Sequence, residues 1–361
     1  MTLEDLHRRH LIDTAFRGGL SVALYLAFPA FSDVYRLWER ESGNGAQWTQ
    51  TPFEYPPVSA LFYEPLSWLP SSRWAVTLNG IIMIGAAVAI TRALTRGSNL
   101  NETSPDIKMW VASPALLLFL PINWDVLVAL IAVLGVAALY HNRSALAGFW
   151  HGIGTAFKVF PGAVVFPILP LINSWRRRSI FLLCGLIALV VPYLTYAFVE
   201  PGQWLFHLEF ASDRGDIQST IWGILDRVYD AVGADLSNGT INVLSSMSLA
   251  AALLLITWWA DRTRPTFAEV AAVGVIAMLT FNKVFKPQYI LWALPFLAWI
   301  RADRLKVRIA ESAAVLQFAV IYLALPGFIY PIHTAIRVVS LGLVASDILR
   351  PGSNRSHGRT S

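Results

Sequence analysis

The sequence predicts an all-α, polytopic membrane protein, and three observations carry that expectation. Of its 361 residues, 55% are hydrophobic and 14% charged, where a water-soluble domain carries about 25% charged residues. That composition, with a mean hydropathy of +0.53, leaves too little polar surface to coat a soluble body. Apolar runs near the ~20 residues that cross a bilayer as a helix recur along the whole chain. The basic residues gather at the ends of those runs and, with the N-terminus inside, fall on one side, as the positive-inside rule requires.

About twelve membrane segments are expected, some short or re-entrant. They cover residues 13–31, 74–94, 109–120, 125–140, 145–156, 161–172, 180–198, 241–260, 267–280, 289–300, 309–329 and 332–349. The stretch 145–172 reads either as a helical hairpin or as one broken helix. The polar start carries Arg8 and Arg9, and the first run is followed by Asp33 rather than by a small-residue cleavage site. It is expected to stay as a helix with its N-terminus in the cytoplasm. Cytoplasmic turns then carry Arg92 and Arg96, Arg143, Arg176 to Arg178, Arg262 and Arg264, and Arg301 to Arg308, and the basic tail also falls inside. Two large loops, 33–73 and 200–240, land outside. Within the first, 34–40 and 58–69 mix Trp38, Tyr63 and Trp68 with polar residues, which suits short helices lying in the interface.

The chain reads as a single integral membrane domain over 1–361, with no soluble domain and no internal repeat. Its single cysteine, Cys184, lies in an apolar run, so no intrachain disulfide forms. The basic balance, pI near 9.4, follows from topology and does not call for a nucleic-acid partner. Gly152-Ile153-Gly154 lacks the setting of a phosphate-binding loop and suits close helix packing.

Ionisable groups at membrane depth are costly and usually face a cavity or a partner. The expected outer side collects Asp33, Glu54, Asn123, Asp125, Lys158 and His207 from the first half of the chain. From the second half it collects Arg214, Gln218, Asn282, Lys283, Lys286, Gln288 and His333. One outward cavity would account for them. Each also has a plainer reading. Asp33 fits a boundary residue as well as a base. Asp125 fits the start of a helix, where a carboxylate meets the positive dipole end. Lys158 fits either a snorkelling cation or a cavity wall beside the Phe160-Pro161 break. His333 fits an interfacial histidine, and Arg214 a solvated loop residue. Motifs for metallopeptidases or serine hydrolases are not found.

The sequence resembles the GT-C superfamily of multi-pass glycosyltransferases, and within it the actinobacterial α-(1→2)-mannosyltransferases of glycosyltransferase family 87. Asp33-Val34-Tyr35 at the first outer boundary is similar to the catalytic aspartate element, and Glu54-Tyr55-Pro56-Pro57 to the family's Tyr-Pro-Pro element. Asn123-Trp124-Asp125 and Gly154 to Pro161 resemble its central Lys-x-x-Pro region. Arg214 to Trp222 resembles an outer loop of the form Arg-x-x-Gln-x-Ser-x-Trp. Asn282 to Trp292 resembles Asn-Lys-Val-Phe-Ser-Pro-Gln-Tyr-Leu-x-Trp, with Lys286 in place of the serine.

The resemblance implies transfer of mannose from polyprenyl-phosphate-mannose to a lipid-linked or glycan acceptor outside the cytoplasm. Asp33 would act as general base in an inverting, α-forming, α-1,2-type reaction of cell-envelope glycolipid synthesis, such as that of phosphatidylinositol mannosides. Tyr35, Glu54, Tyr55, Asn123, Asp125, Lys158, His207, Arg214, Gln218, Lys283, Lys286, Gln288 and His333 would bind substrate. No divalent metal or other cofactor is expected. Arabinose or glucose donors remain alternatives, because one hydroxyl contact can decide the sugar. A lipid-linked sugar flippase is the rival of another class, though such proteins often show paired repeats.

Overall fold

The computed structural model describes residues 3–42, 53–97, 104–215, 219–323, 326 and 328–350. Among the described residues there are seventeen α-helices, joined by turns and short 3₁₀ segments, and no strand. In chain order they open with α1 (Leu3–Ala27), α2 (Asp33–Ser42), α3 (Pro57–Ser67), α4 (Ser72–Gly97), α5 (Ile107–Val111) and α6 (Pro114–Phe119). Next come α7 (Asp125–Tyr140), α8 (Ser144–Phe157), α9 (Val165–Ile168), α10 (Trp175–Val199), α11 (Phe206–Asp213) and α12 (Ile221–Ala231). The last five are α13 (Asn238–Thr263), α14 (Phe267–Phe281), α15 (Ile290–Trp299), α16 (Arg304–Tyr322) and α17 (Ile329–Leu349).

The protein is a helical membrane protein. Among the described residues, four helices are long and apolar enough to cross a bilayer: 72–96, 175–199, 238–263 and 329–349. α10 shows why. Leu182, Leu183, Leu186, Ile187, Val191, Leu194 and Phe198 all stand exposed. In water such a contiguous apolar face would aggregate; in lipid it is the stable arrangement.

Each expected apolar run overlaps a helix, but most of these helices are shorter than a span. Run 109–120 is broken at Ser113-Pro114 into α5 and α6, since proline cannot donate to the preceding turn. Run 13–31 ends as helix at Ala27, and Pro29–Phe31 forms a 3₁₀ turn that delivers Asp33 to the start of α2. The stretch 145–172 is the broken-helix case: α8 stops at Phe157, and Phe160 to Leu171 continues as short 3₁₀ and α turns around Pro161, Pro167 and Pro170.

The described chain forms two compact units. The first draws on 1–93, 116–162 and 174–211, the second on 94–115, 163–173 and 212–361. In the first, α8 packs on α10 with almost no separation. A Cβ on Gly152 would lie 2.1 Å from the Gly185 carbonyl oxygen, and one on Gly148 only 2.0 Å from that of Phe181. These glycines permit the backbone approach that small-residue helix pairs use in membranes.

In the second unit, α14 and α15 form the buried centre. Every residue of α15 is buried, and α14 is opened by a capping box between Thr266 and Glu269, which satisfies two helix-end donors at once. The Trp222 indole N–H donates to the Phe281 carbonyl at 2.9 Å, fixing α12 against the end of α14.

Candidate active site

The first unit gathers six of the fourteen candidate residues around the start of α2 and α7. The Asp33 backbone N–H donates to the Ile122 carbonyl at 2.8 Å, and the Ser32 hydroxyl reaches the same oxygen at 3.1 Å. The 121–123 turn is itself fastened by Asn79 of α4, whose amide donates to Pro121 O at 3.2 Å and Asn123 O at 3.3 Å. This locks the start of α2 to the turn before α7.

Asn123 then serves both sides of the turn. Its Oδ1 accepts the Asp125 N–H at 2.9 Å, satisfying an orphan donor at the start of α7. Its Nδ2 donates to Asp33 Oδ2 at 3.3 Å. The other Asp33 oxygen faces the Arg36 guanidinium, 3.6 Å away. The carboxylate is thus oriented from two directions and remains 21% exposed. A cleft of about 220 Å³ opens there, lined by Asp33, Arg36, Leu37, Arg40 and Glu54.

Beneath lies an aromatic cluster centred on Trp124, which is fully buried. Tyr55 meets it edge-on at 4.9 Å between ring centroids, and Phe53, Phe62, Tyr63 and Phe157 pack around it. The Trp124 indole nitrogen has no hydrogen-bond partner among the described residues. Lys158 caps α8 in an extended conformation. Its ammonium binds the Asp125 carboxylate and lies 5.8 Å from the Tyr55 ring centre. The pair is buried, so both charges are committed to each other.

Tyr35 and His207 also belong to this unit but do not line that cleft. Tyr35 is half-buried on α2. His207 is hydrogen-bonded through Nε2 to the Tyr193 hydroxyl at 2.8 Å, and burial pushes its imidazole down to about 4. It is neutral near pH 7.

The second unit holds Arg214, Lys283, Lys286, Gln288 and His333; Gln218 lies outside the described residues. Lys283 directs its three donors to Ser212 O at 2.7 Å, Asn238 Oδ1 at 3.1 Å and Asn242 Oδ1 at 2.5 Å. Burial lowers its ammonium below the ordinary lysine range, with the nearby Arg214 charge acting in the same direction against Asp213. The arrangement ties Ser212, the start of α13 and the segment after α14 together. Lys286 and Arg214 are half-buried, and Gln288 is buried in the 3₁₀ turn Pro287–Tyr289. His333 is fully buried on α17, with neither ring nitrogen hydrogen-bonded among the described residues.

Sequence reasoning passed over three residues that the structure brings forward. Arg36 and Arg40 line the Asp33 cleft; their spacing of three and seven from Asp33 was the available signal. Arg337, one turn after His333, is buried; it donates to Ser219 O at 2.7 Å and Gln317 Oε1 at 3.3 Å and lies 3.3 Å from the Phe285 ring centre. A charged residue inside an apolar run was its signal. Three carboxylates close enough to share a cation, Asp226, Asp230 and Asp235, occur on and just after α12.

Residues 53–282 match the model of glycosyltransferase family 87. The chain belongs to that family. The match contains Glu54, Tyr55, Asn123, Asp125 and Lys158, and Asp33 precedes it. The chain is also similar to GPI mannosyltransferase 1 of Kluyveromyces lactis, 23% identical over 67% of this chain and 63% of that protein. The counterpart of the same name in Trypanosoma brucei brucei is 23% identical over 74% of this chain and 67% of that protein. That of Saccharomyces cerevisiae is 29% identical over 44% of this chain and 43% of that protein. This family 87 chain therefore spans about 63% of the length of its Kluyveromyces relative.

Proposed function

We propose that this family 87 glycosyltransferase moves a mannosyl residue from polyprenyl-phosphate-mannose to a glycolipid or glycan acceptor at the extracytoplasmic face of the cell membrane. The relatives' name supports mannose and a GPI-type glycolipid acceptor; phosphatidylinositol mannosides and lipomannan are acceptors of related chemistry. The arrangement around Asp33 carries the reading. A half-open carboxylate, oriented by an amide and a guanidinium, borders a cleft in a chain of this family.

In this reading the acceptor hydroxyl attacks the anomeric carbon while Asp33 takes its proton. The bond to the lipid phosphate breaks on the opposite face, so a β donor gives an α product, α-1,2 by family likeness. In this reading no divalent metal takes part, because guanidinium groups lining the cleft can supply positive charge to the phosphate. Tyr55, half-buried and backed by the Trp124 cluster, offers a ring on which a sugar can stack. The topology that goes with it has about twelve membrane segments, both termini inside, and α2 and α3 in the outer interface.

Purified protein incubated with radiolabelled polyprenyl-phosphate-mannose and inositol-glycolipid acceptors tests this. Labelled lipid that is α-mannosidase-sensitive and survives mild acid, which hydrolyses the glycosyl-phosphate donor, is the expected product. Movement of the labelled donor across vesicles with no transfer would replace the enzyme by a flippase.

A further inference from the structure

We propose that the open cavity at the starts of α8 and α10 binds the phosphate headgroup of an anionic phospholipid, with the acyl chains along the exposed face of α10. In the basic-inside arrangement proposed above this is the cytoplasmic leaflet. The site stands whatever sugar donor the protein uses.

Helix direction creates the site. Gly148 meets the Phe181 carbonyl, and one turn further along both helices Gly152 meets that of Gly185. α8 and α10 therefore run parallel, and their positive dipole ends lie side by side. Neither first turn holds an acidic residue. Ser174 occupies the N-cap position of α10, where a serine commonly accepts a first-turn N–H, yet it makes no such bond, and neither does the Arg143 side chain at the start of α8.

A cavity of about 620 Å³ opens at these two starts, and its polar lining is Asn142, Arg143, Ser144, Ser174, Arg176 and Arg177, with no carboxylate. Asn142 Oδ1 accepts from the Arg177 guanidinium at 2.8 Å. That bond orients the guanidinium without cancelling its charge and leaves the rest of its five donors. Arg143 and Arg176 are exposed. Ser144 is 7% exposed, and its hydroxyl has no hydrogen-bond partner among the described residues. Three cations and a buried hydroxyl on two positive helix ends form a donor set for a phosphate. The positive-inside rule explains arginines at this end of α10, but it asks only for cations near water. It does not gather them around one cavity or leave two adjacent helix starts uncapped.

The surroundings select a lipid over a free anion. α10 is long and apolar enough to cross a bilayer, and beyond its arginines Leu182, Leu183, Leu186 and Ile187 stand exposed. Leu146 and Ile180 line the cavity itself, so its polar lining runs on into an apolar wall. Trp175, 78% exposed at the start of α10, is the kind of side chain that sits at headgroup level. The site is separate from the Asp33 cleft. About 24 Å of helix, the length of α7 from Asp125 to Tyr140, lies between the turn that holds Asp33 and the cavity at Asn142.

Native mass spectrometry of the detergent-purified full chain with phosphatidylglycerol, phosphatidylcholine of the same acyl chains and inorganic phosphate tests this. Wild type should hold phosphatidylglycerol about tenfold more tightly than phosphatidylcholine, the scale of one to two basic residues acting on an anionic headgroup. Arg143→Gln with Arg176→Gln should abolish that preference, and Arg176→Gln alone should reduce it. Arg8→Gln with Arg9→Gln, the same charge change on the exposed start of α1, should keep it. Phosphatidylglycerol should also raise the melting temperature of wild type and of the Arg8/Arg9 variant, but not that of the Arg143/Arg176 variant. Equal binding of the two lipids by wild type overturns the site, as does a preference that survives in the Arg143/Arg176 variant. Equal loss in both double variants reduces it to general charge attraction and overturns it too. Inorganic phosphate displacing phosphatidylglycerol at equal concentration overturns the choice of a lipid.

Discussion

The Lys158 ammonium at the cap of α8 is held by the Asp125 carboxylate in the first turn of α7, with the side chains 8% and 2% exposed. Removing one member leaves the other charge buried and unpaired, at a cost of about 3–5 kcal/mol. Lys158→Met is therefore expected to lower thermal stability sharply. Lys158→Met with Asp125→Leu should recover much of that loss, because a buried pair can often be replaced by apolar groups at little cost. Scanning fluorimetry in detergent reads both. A stable Lys158→Met protein with a raised donor requirement would return Lys158 to the phosphate.

The helical class, the broken path after Phe157 and the short helices α2 and α3 were legible in the sequence. Apolar runs, Pro161 and the Trp38/Trp68 pattern are local signals. Charge and hydropathy patterning put Asp33 and Asn123 on one expected side, but not their hydrogen bond, which closes across 90 residues. The pairing of Lys158 with Asp125 was not legible, since each also reads as an ordinary helix-end residue. Neither was the role of Lys283, whose three acceptors, Ser212, Asn238 and Asn242, are uncharged and leave no charge pattern to find. Run 109–120 carries span-like composition, but its interruption at Pro114 into α5 and α6 shows only in the structure.

The proposed topology puts 200–240 outside and the turn after α7 inside. Gly202 has no heavy atom within 4 Å of an added Cβ, and His141 is exposed. In a Cys184→Ser background, Gly202→Cys should react with a membrane-impermeant maleimide in intact cells, and His141→Cys only after permeabilisation. Equal labelling of the two would reject the basic-inside arrangement.

His207 gives an acid-sensitivity test. Burial sets its folded value at about 4, against 6.5 for the free side chain. Between those values the unfolded chain binds the extra proton, so stability rises with pH and falls on acidification from about 6.5 towards 4. The melting temperature should drop from pH 7 to pH 5, and His207→Gln, which can still meet the Tyr193 hydroxyl, should flatten that part of the profile. An unchanged slope in the variant would remove His207 as the source.

The last prediction separates base from scaffold at Asp33. Asp33→Asn keeps the size of the side chain but cannot accept a proton, so transfer should fall roughly 10²–10⁴-fold, the usual scale for a general acid or base. Asn123→Ala removes the amide that orients Asp33 and also uncaps the Asp125 N–H. It should therefore lower transfer less than Asp33→Asn does and cost about 1 kcal/mol of stability as a lost cap. The two effects are separable. Asp33→Asn should leave the melting temperature nearly unchanged, while Asn123→Ala should lower both. Initial rates with a synthetic polyprenyl-phosphate-mannose, measured beside melting curves, decide it. Near wild-type rates in Asp33→Asn would dismiss it as base and turn attention to Glu54, the other carboxylate lining the same cleft.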